Sequence, residues 1–150
     1  MEYRLCTMAF GALAAISAVF APSAGADPGQ LSGHYVETST NRDSGGTSTN
    51  HWFFTACGQD CRSVQLCDNE KREGCTSAQA RLTKGRWEMD VSHIDIACPN
   101  GLIIPDATSF HYRWNPDTLE GVGEGTRYGP GCPGGITPPS TVVDFTLKPA

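Results

Sequence analysis

The sequence has little positive charge. It contains 11 Lys or Arg residues against 16 Asp or Glu residues, which gives a formal net charge of −5. Proteins that bind nucleic acid neutralise its phosphates with clusters of Lys and Arg. The nearest such grouping, Arg81, Lys84 and Arg86, is interrupted by apolar residues and accompanied by Glu88 and Asp90. This pattern is typical of a solvated strand face, so we expect no nucleic-acid partner.

Long apolar runs are missing after the first twenty residues. The chain opens with Arg4 and an apolar stretch over residues 5–20, and Ala24-Gly25-Ala26 follows. These are the marks of a secretory signal peptide, and the stretch is shorter than the roughly 20 residues that span a bilayer, which argues against an uncleaved anchor. We expect residues 1–26 to be a signal peptide and residues 27–150 a single secreted β domain. The expected localisation is extracellular, free or associated with the cell wall, with no stable membrane span after cleavage.

The C-x-x-C motif of thioredoxin-like oxidoreductases is also absent. The closest stretch, Cys57-Gly-Gln-Asp-Cys61, has one residue too many between its sulfurs. The histidines are scattered without the paired spacing of zinc ligands. We therefore expect no metal and no cofactor, and we interpret the cysteines as structural.

Six cysteines remain once Cys6 leaves with the signal peptide. An even number in an exported chain indicates a disulfide framework, although the sequence permits many pairings. The pairing we propose is Cys57–Cys61, Cys67–Cys75 and Cys98–Cys132. The first two close short local loops, and the third ties a Gly/Pro-rich loop to the sheet.

Sustained helical periodicity is lacking, and short alternating segments take its place. Trp87, Met89 and Val91 alternate with charged residues, which is the period of a half-buried strand. Strands are predicted over residues 31–39, 51–55, 62–67, 78–82, 86–91, 109–114, 118–128 and 142–148. Residues 40–50 are predicted to be a loop, and the glycines of 118–128 favour an edge strand. The expected fold is all-β, an antiparallel sandwich or small barrel of about eight short strands stapled by disulfides.

Motifs for nucleophilic catalysis are weak. The G-x-S-x-G elbow of α/β-hydrolases is absent. Asp43-Ser44-Gly45-Gly46 resembles the nucleophile segment of chymotrypsin-like proteases, but Arg42 stands where that family has a glycine. In that family the serine follows the catalytic His and Asp, whereas Ser44 lies near the start of the mature chain, and the mature chain is too short for the family's two barrels. Asp90, Asp95 and Asp117 show no spacing that selects them as a catalytic pair. We expect no catalytic residue.

Aromatic residues are spread over most predicted strands. Large rings fill protein cores more often than they line cavities. A ligand cavity is the alternative, and its lining would come from Tyr35, Trp52, Phe54, Trp87, Tyr112 and Trp114.

Several short motifs together resemble a group of small secreted mycobacterial proteins of unknown function. They are Gly33-x-Tyr35, Trp52-x-Phe54-Thr55-x-Cys57-Gly58-x-x-Cys61, Ala80-Arg81-Leu82, Gly85-x-Trp87-x-Met89-Asp90, Cys98-Pro99-x-Gly101, Tyr112-x-Trp114-x-Pro116-x-Thr118-Leu119-x-Gly121, Cys132 and Phe145-Thr146-Leu147. Ala56 stands where that group tends to have proline, and Cys67 and Cys75 are an addition. The resemblance implies export and a β-rich fold, and it implies no particular chemistry.

The leading hypothesis is an exported non-enzymatic β domain that binds an envelope component, a host protein or a small apolar ligand. The alternative is a secreted hydrolase whose site is assembled from scattered polar residues. A third hypothesis is a structural protein associated with the cell wall. An apolar cavity with few convergent polar groups would favour binding. A polar cleft with perturbed titratable groups would favour hydrolysis.

Overall fold

The computed structural model describes residues 31–134 and 140–150. The predicted signal peptide lies outside the described residues, so it stays a prediction. The described ranges contain eight strands: β1 (Gly33–Asn41), β2 (Thr47–Gly58), β3 (Cys61–Cys67), β4 (Thr76–Thr83), β5 (Arg86–Ala97), β6 (Ile103–Trp114), β7 (Glu120–Arg127) and β8 (Ser140–Pro149). The prediction of an all-β chain with about eight strands is confirmed.

The strands form a closed antiparallel barrel. Each strand pairs with its neighbours in the chain, and β1 also pairs with β8, from Tyr35 opposite Pro149 to Asn41 opposite Val143. Of the two architectures left open by the sequence, the barrel is the one that forms. Closure leaves no free edge among the described strands, and the predicted edge position of β7 is wrong because β7 lies between β6 and β8.

The glycines of β7 make room for aromatic rings on β6. Gly123 pairs with Tyr112 and Gly125 pairs with Phe110. A Cβ atom on Gly123 would lie 2.7 Å from a ring carbon of Tyr112, and one on Gly125 would lie 2.7 Å from a ring carbon of Phe110. Side chains of any size would therefore displace these rings. Close packing explains the glycine pattern that we took for a strand edge.

The turn between β1 and β2 is shorter than the predicted loop over residues 40–50. Both strands run into that range, so that Thr40 pairs with Thr47. The side-chain oxygen of Asn41 accepts hydrogen bonds from the backbone N–H groups of Asp43 and Ser44, each at 2.9 Å. An Asn side chain that binds the following backbone in this way stabilises a tight turn.

One end of the barrel is closed by the buried Arg62 at the start of β3, which is 3% exposed. Its guanidinium donates hydrogen bonds to the carbonyl oxygens of Leu31 at 2.7 Å and Gly58 at 2.9 Å. The same group lies 5.3 Å from the ring centroid of Trp87, within the range of a cation–π contact. Hydrogen bonds and an aromatic face thus stabilise a charge in the core.

The core fills this closed end of the barrel. Its fully buried members are Leu31, Trp52, Phe54, Val64, Ala80, Trp87, Met89, Val91, Trp114, Phe145 and Leu147. Apart from Leu31, which precedes β1, they come from alternate positions of the strands, because successive residues of a strand face opposite sides of the sheet. The alternation predicted for Trp87, Met89 and Val91 is confirmed.

The three predicted disulfides form. They link Cys57 to Cys61, Cys67 to Cys75, and Cys98 to Cys132. Such a framework fits an oxidising environment.

Candidate functional site

A cavity of about 570 Å³ opens at the end of the barrel opposite Arg62. Both apolar and polar side chains line it, and the apolar ones come from strands all around the barrel. The wall residues are Trp52, Leu66, Val91, Ile94, Phe110 and Val143. Polar residues also face the cavity, and they cluster on β1, β2 and β4 as Ser39, Ser48, Asn50 and Thr76. The cavity therefore has an apolar wall and one polar side.

The polar side follows from strand alternation. Ser48, Asn50 and Trp52 occupy every second position of β2 and point into the barrel, as do Phe110 and Tyr112 on β6. Residues at i, i+2 and i+4 share one face of a strand. The inward face of β2 therefore changes from aromatic at the closed end to polar at the open end.

Glu37 lies beneath the polar side of the cavity. It is 2% exposed, and its carboxylate accepts a hydrogen bond of 2.9 Å from the side-chain amide of Asn50. Burial raises the pKa of the Glu37 carboxyl above its usual value, while hydrogen bonds from Asn50 and Ser39 lower that pKa in part. Ser39 in turn contacts Ser48, with 2.8 Å between the hydroxyl oxygens. A buried carboxylate thus anchors a short polar network that reaches the cavity.

Tyr112 separates this network from the aromatic core. Its ring meets Trp52 edge-on at 5.1 Å and Phe145 edge-on at 5.5 Å between centroids. Burial raises the pKa of the Tyr112 phenol, and the nearby charge of Glu37 raises it further. The phenol therefore stays protonated at any physiological pH.

Of the six aromatic residues proposed to line a cavity, Trp52 and Tyr112 do line the open end. Tyr35 and Phe54 pack against each other edge-on at 5.4 Å, and Trp87 and Trp114 stack at 6.3 Å in the closed end. The indole N–H groups of Trp52, Trp87 and Trp114 have no hydrogen-bond partner among the described residues. Other aromatic rings surround these indoles instead.

The rim of the cavity is acidic. Asp68, His93 and Asp95 border it, together with the Cys67–Cys75 disulfide, and the described lining contains no Lys or Arg. Asp95 also accepts a hydrogen bond of 3.0 Å from the backbone N–H of Asp106. The formal charges that Lys, Arg, Asp and Glu contribute to the described lining are therefore all negative.

Sequence reasoning missed Glu37, although a signal for it exists. Tyr35, Glu37 and Ser39 alternate along β1, so an inward Tyr35 implies an inward Glu37. A charged residue on a strand is usually solvated, so the alternation alone does not single out Glu37.

The carboxylates weighed as a catalytic pair lie in different places. Asp90 is exposed on β5, with 2.7 Å between its carboxylate and Nδ1 of His111 on β6. Asp95 lies at the rim of the cavity, and Asp117 lies in the turn between β6 and β7. The fold does not bring them to one site.

Ser44 lies exposed in the turn between β1 and β2. Its hydroxyl oxygen accepts a hydrogen bond of 3.2 Å from the N–H of Gly46. We expect Ser44→Ala to change the free energy of unfolding by no more than about 0.5 kcal/mol, since the bond is exposed to water. Urea denaturation measures this change. Labelling of the wild type by a fluorophosphonate that disappears in Ser44→Ala would show an activated serine and contradict our interpretation.

The fold and the site define a closed eight-stranded antiparallel barrel with one sealed end and one open, partly polar end. No family model, curated protein or solved structure matches the chain. The resemblance to small secreted mycobacterial proteins therefore stays a prediction. Among the described residues there is no group of three or more His, Cys, Asp or Glu suited to a metal ion. In the same ranges no helix is long and apolar enough to cross a membrane.

Proposed function

We propose that the protein is an exported, non-enzymatic binding protein that holds one small, mainly apolar ligand in the open end of its barrel. The observation that carries this proposal is the cavity of about 570 Å³ at the open end of the barrel, in which an apolar wall faces a polar side. Export is supported by the predicted signal peptide and by the three disulfides.

The size and shape of the cavity favour a small molecule over a protein partner. Pockets for small ligands commonly measure roughly 300–1,000 Å³ and place polar groups among apolar walls. Barrels of eight strands have room for one small ligand when side chains do not fill them. In this barrel side chains fill the closed end, and the open end is left for the ligand. An apolar envelope component or an apolar host metabolite is a ligand of suitable chemistry.

The proposal predicts that a neutral apolar fluorophore binds in the cavity. N-phenylnaphthylamine should show a saturable, one-to-one rise in fluorescence when it is titrated with the protein. Thr76→Trp should weaken this binding at least tenfold, because Thr76 lines the cavity and an indole there occupies the space. Ser77→Trp is the matched control, since Ser77 is exposed on the opposite face of β4 and its replacement should change the affinity less than twofold.

Two results would contradict the proposed function. One is the absence of saturable binding by the wild type. The other is an equal loss of affinity for the fluorophore in Thr76→Trp and Ser77→Trp, which would show that the fluorophore binds outside the barrel.

One observation favours the hydrolase alternative. The carboxyl of Glu37 has a raised pKa and accepts a hydrogen bond from Ser39, so it has the features of a general base beside a hydroxyl. Hydrolysis of p-nitrophenyl esters separates the two functions. Turnover by the wild type that is lost in both Glu37→Gln and Ser39→Ala would support the hydrolase. We expect no turnover.

A further inference from the structure

The buried carboxylate of Glu37 has no positively charged partner among the described residues. The ion pairs in those ranges join Arg42 to Asp144, His93 to Asp106, His111 to Asp90, and Arg113 to Glu124, all outside the barrel core. Glu37 is held by neutral donors alone, Asn50 and Ser39. Burying a carboxylate without a counter-charge is costly, so a feature of this kind needs an explanation.

Glu37 fixes the direction of its hydrogen bond with Asn50. The amide N–H of Asn50 donates to the Glu37 carboxylate at 2.9 Å, so the amide oxygen of Asn50 remains as an acceptor. In the 2.8 Å contact between Ser39 and Ser48 either hydroxyl can donate the hydrogen, and the Ser48 oxygen keeps an acceptor lone pair in both cases. The hydroxyl oxygen of Ser48 and the amide oxygen of Asn50 are therefore acceptors for a ligand. This side of the cavity is built to bind hydrogen-bond donors.

The rest of the cavity favours a positive charge. Asp68 and Asp95 border it, and no Lys or Arg belongs to its described lining. The half-buried ring of Phe110 forms part of its wall, and the faces of aromatic rings attract cations. Three independent features thus agree, namely a buried carboxylate, an acidic rim and an aromatic wall.

We propose that the ligand is an apolar molecule with a protonated amine, and that the ammonium group binds Ser48 and Asn50 above Glu37. This inference rests on the proposed ligand-binding function, because it concerns the same cavity. An ammonium group has three N–H donors and no acceptor, which matches the acceptors that this network offers. Its charge also supplies the counter-charge that Glu37 lacks.

The test compares three ligands with the same alkyl chain: octylammonium, octanol and octanoate. Calorimetric titration of the disulfide-bonded protein at pH 8 keeps the amine of octylammonium and the carboxylate of octanoate charged. We expect octylammonium to bind at least tenfold more tightly than octanol, and octanoate to bind most weakly. Glu37→Gln should lower the affinity for octylammonium at least tenfold and change the affinity for octanol less than twofold. Glu88→Gln removes a carboxylate from the outer face of β5 instead and should leave both affinities within twofold.

The outcomes separate this inference from the proposed function. The proposed amine specificity is wrong if octanol binds as tightly as octylammonium, or if Glu37→Gln leaves the affinity for octylammonium unchanged. The proposed function as a ligand-binding protein is not contradicted by either result. If neither these ligands nor N-phenylnaphthylamine binds, the proposed function itself is wrong. If Glu37→Gln does not fold, the amine specificity is tested by the order of the three binding affinities, measured on the wild type and on Asp95→Asn. Asp95→Asn should lower the affinity for octylammonium about two- to threefold and leave the affinity for octanol unchanged.

Discussion

Trp87→Ala should lower the free energy of unfolding by about 3–5 kcal/mol, the usual cost of truncating a large buried aromatic residue. Trp87 is 0% exposed and stacks on Trp114 with 6.3 Å between ring centroids. Its loss leaves a void in the closed end of the barrel, and the guanidinium of Arg62 loses the aromatic face 5.3 Å away. Urea denaturation followed by far-ultraviolet circular dichroism measures the change.

Glu88→Ala is the matched control for Trp87→Ala. Glu88 is the next residue of β5 and faces outward, so its truncation should change the free energy of unfolding by no more than about 0.5 kcal/mol. A loss below about 1 kcal/mol in Trp87→Ala would mean that the closed end is not the stabilising core of the barrel.

The strands could be predicted from the sequence because each one carries a local signal. The alternation around Trp87 depends only on which face of β5 is buried, and it identifies that strand without its neighbours. The shorter disulfides are local in the same sense, since Cys57 and Cys61 are separated by 4 positions and Cys67 and Cys75 by 8. Short loops bring such pairs together whatever the rest of the chain does.

Closure of the barrel could not be predicted from the sequence. It depends on the pairing of β1 with β8, in which Glu37 lies opposite Leu147 at the other end of the chain. Both strands have the same alternation in a sandwich and in a barrel, so the pattern does not distinguish the two. The glycines of β7 were misread for the same reason, because their purpose is apparent only when Tyr112 and Phe110 are seen beside them.

Of the residues at the candidate site, only aromatic ones were predicted from the sequence. Trp52 and Tyr112 are large rings on predicted strands, and both line the cavity. Glu37 and Asn50 are ordinary strand residues in sequence, and only the interior of a closed barrel makes them a buried polar pair. Arg62 shares the inward face of β3 with Val64 and Leu66, but a charged residue on a strand is usually solvated, so the alternation alone does not predict its burial.

Removal of the Cys98–Cys132 disulfide should cost about 3–4 kcal/mol of unfolding free energy, and removal of Cys57–Cys61 about 2 kcal/mol. The two bonds span 34 and 4 positions of the chain, and a longer closed loop restricts the unfolded chain more strongly. The variants are Cys98→Ser with Cys132→Ser, and Cys57→Ser with Cys61→Ser, so that neither protein carries a free thiol.

The longer bond also joins two segments that lie far apart in the chain. Cys98 follows β5, where that strand and β6 extend beyond the barrel, and Cys132 belongs to the segment after β7. The bond therefore holds this segment against the β5–β6 extension, whereas Cys57 and Cys61 lie at the two ends of a hairpin turn that β2 and β3 already pair. Urea denaturation of the two double variants without reductant should give a difference of about 1–2 kcal/mol. Equal losses would show that restriction of the unfolded chain is not what these disulfides contribute, and that each acts through local contacts in the folded barrel.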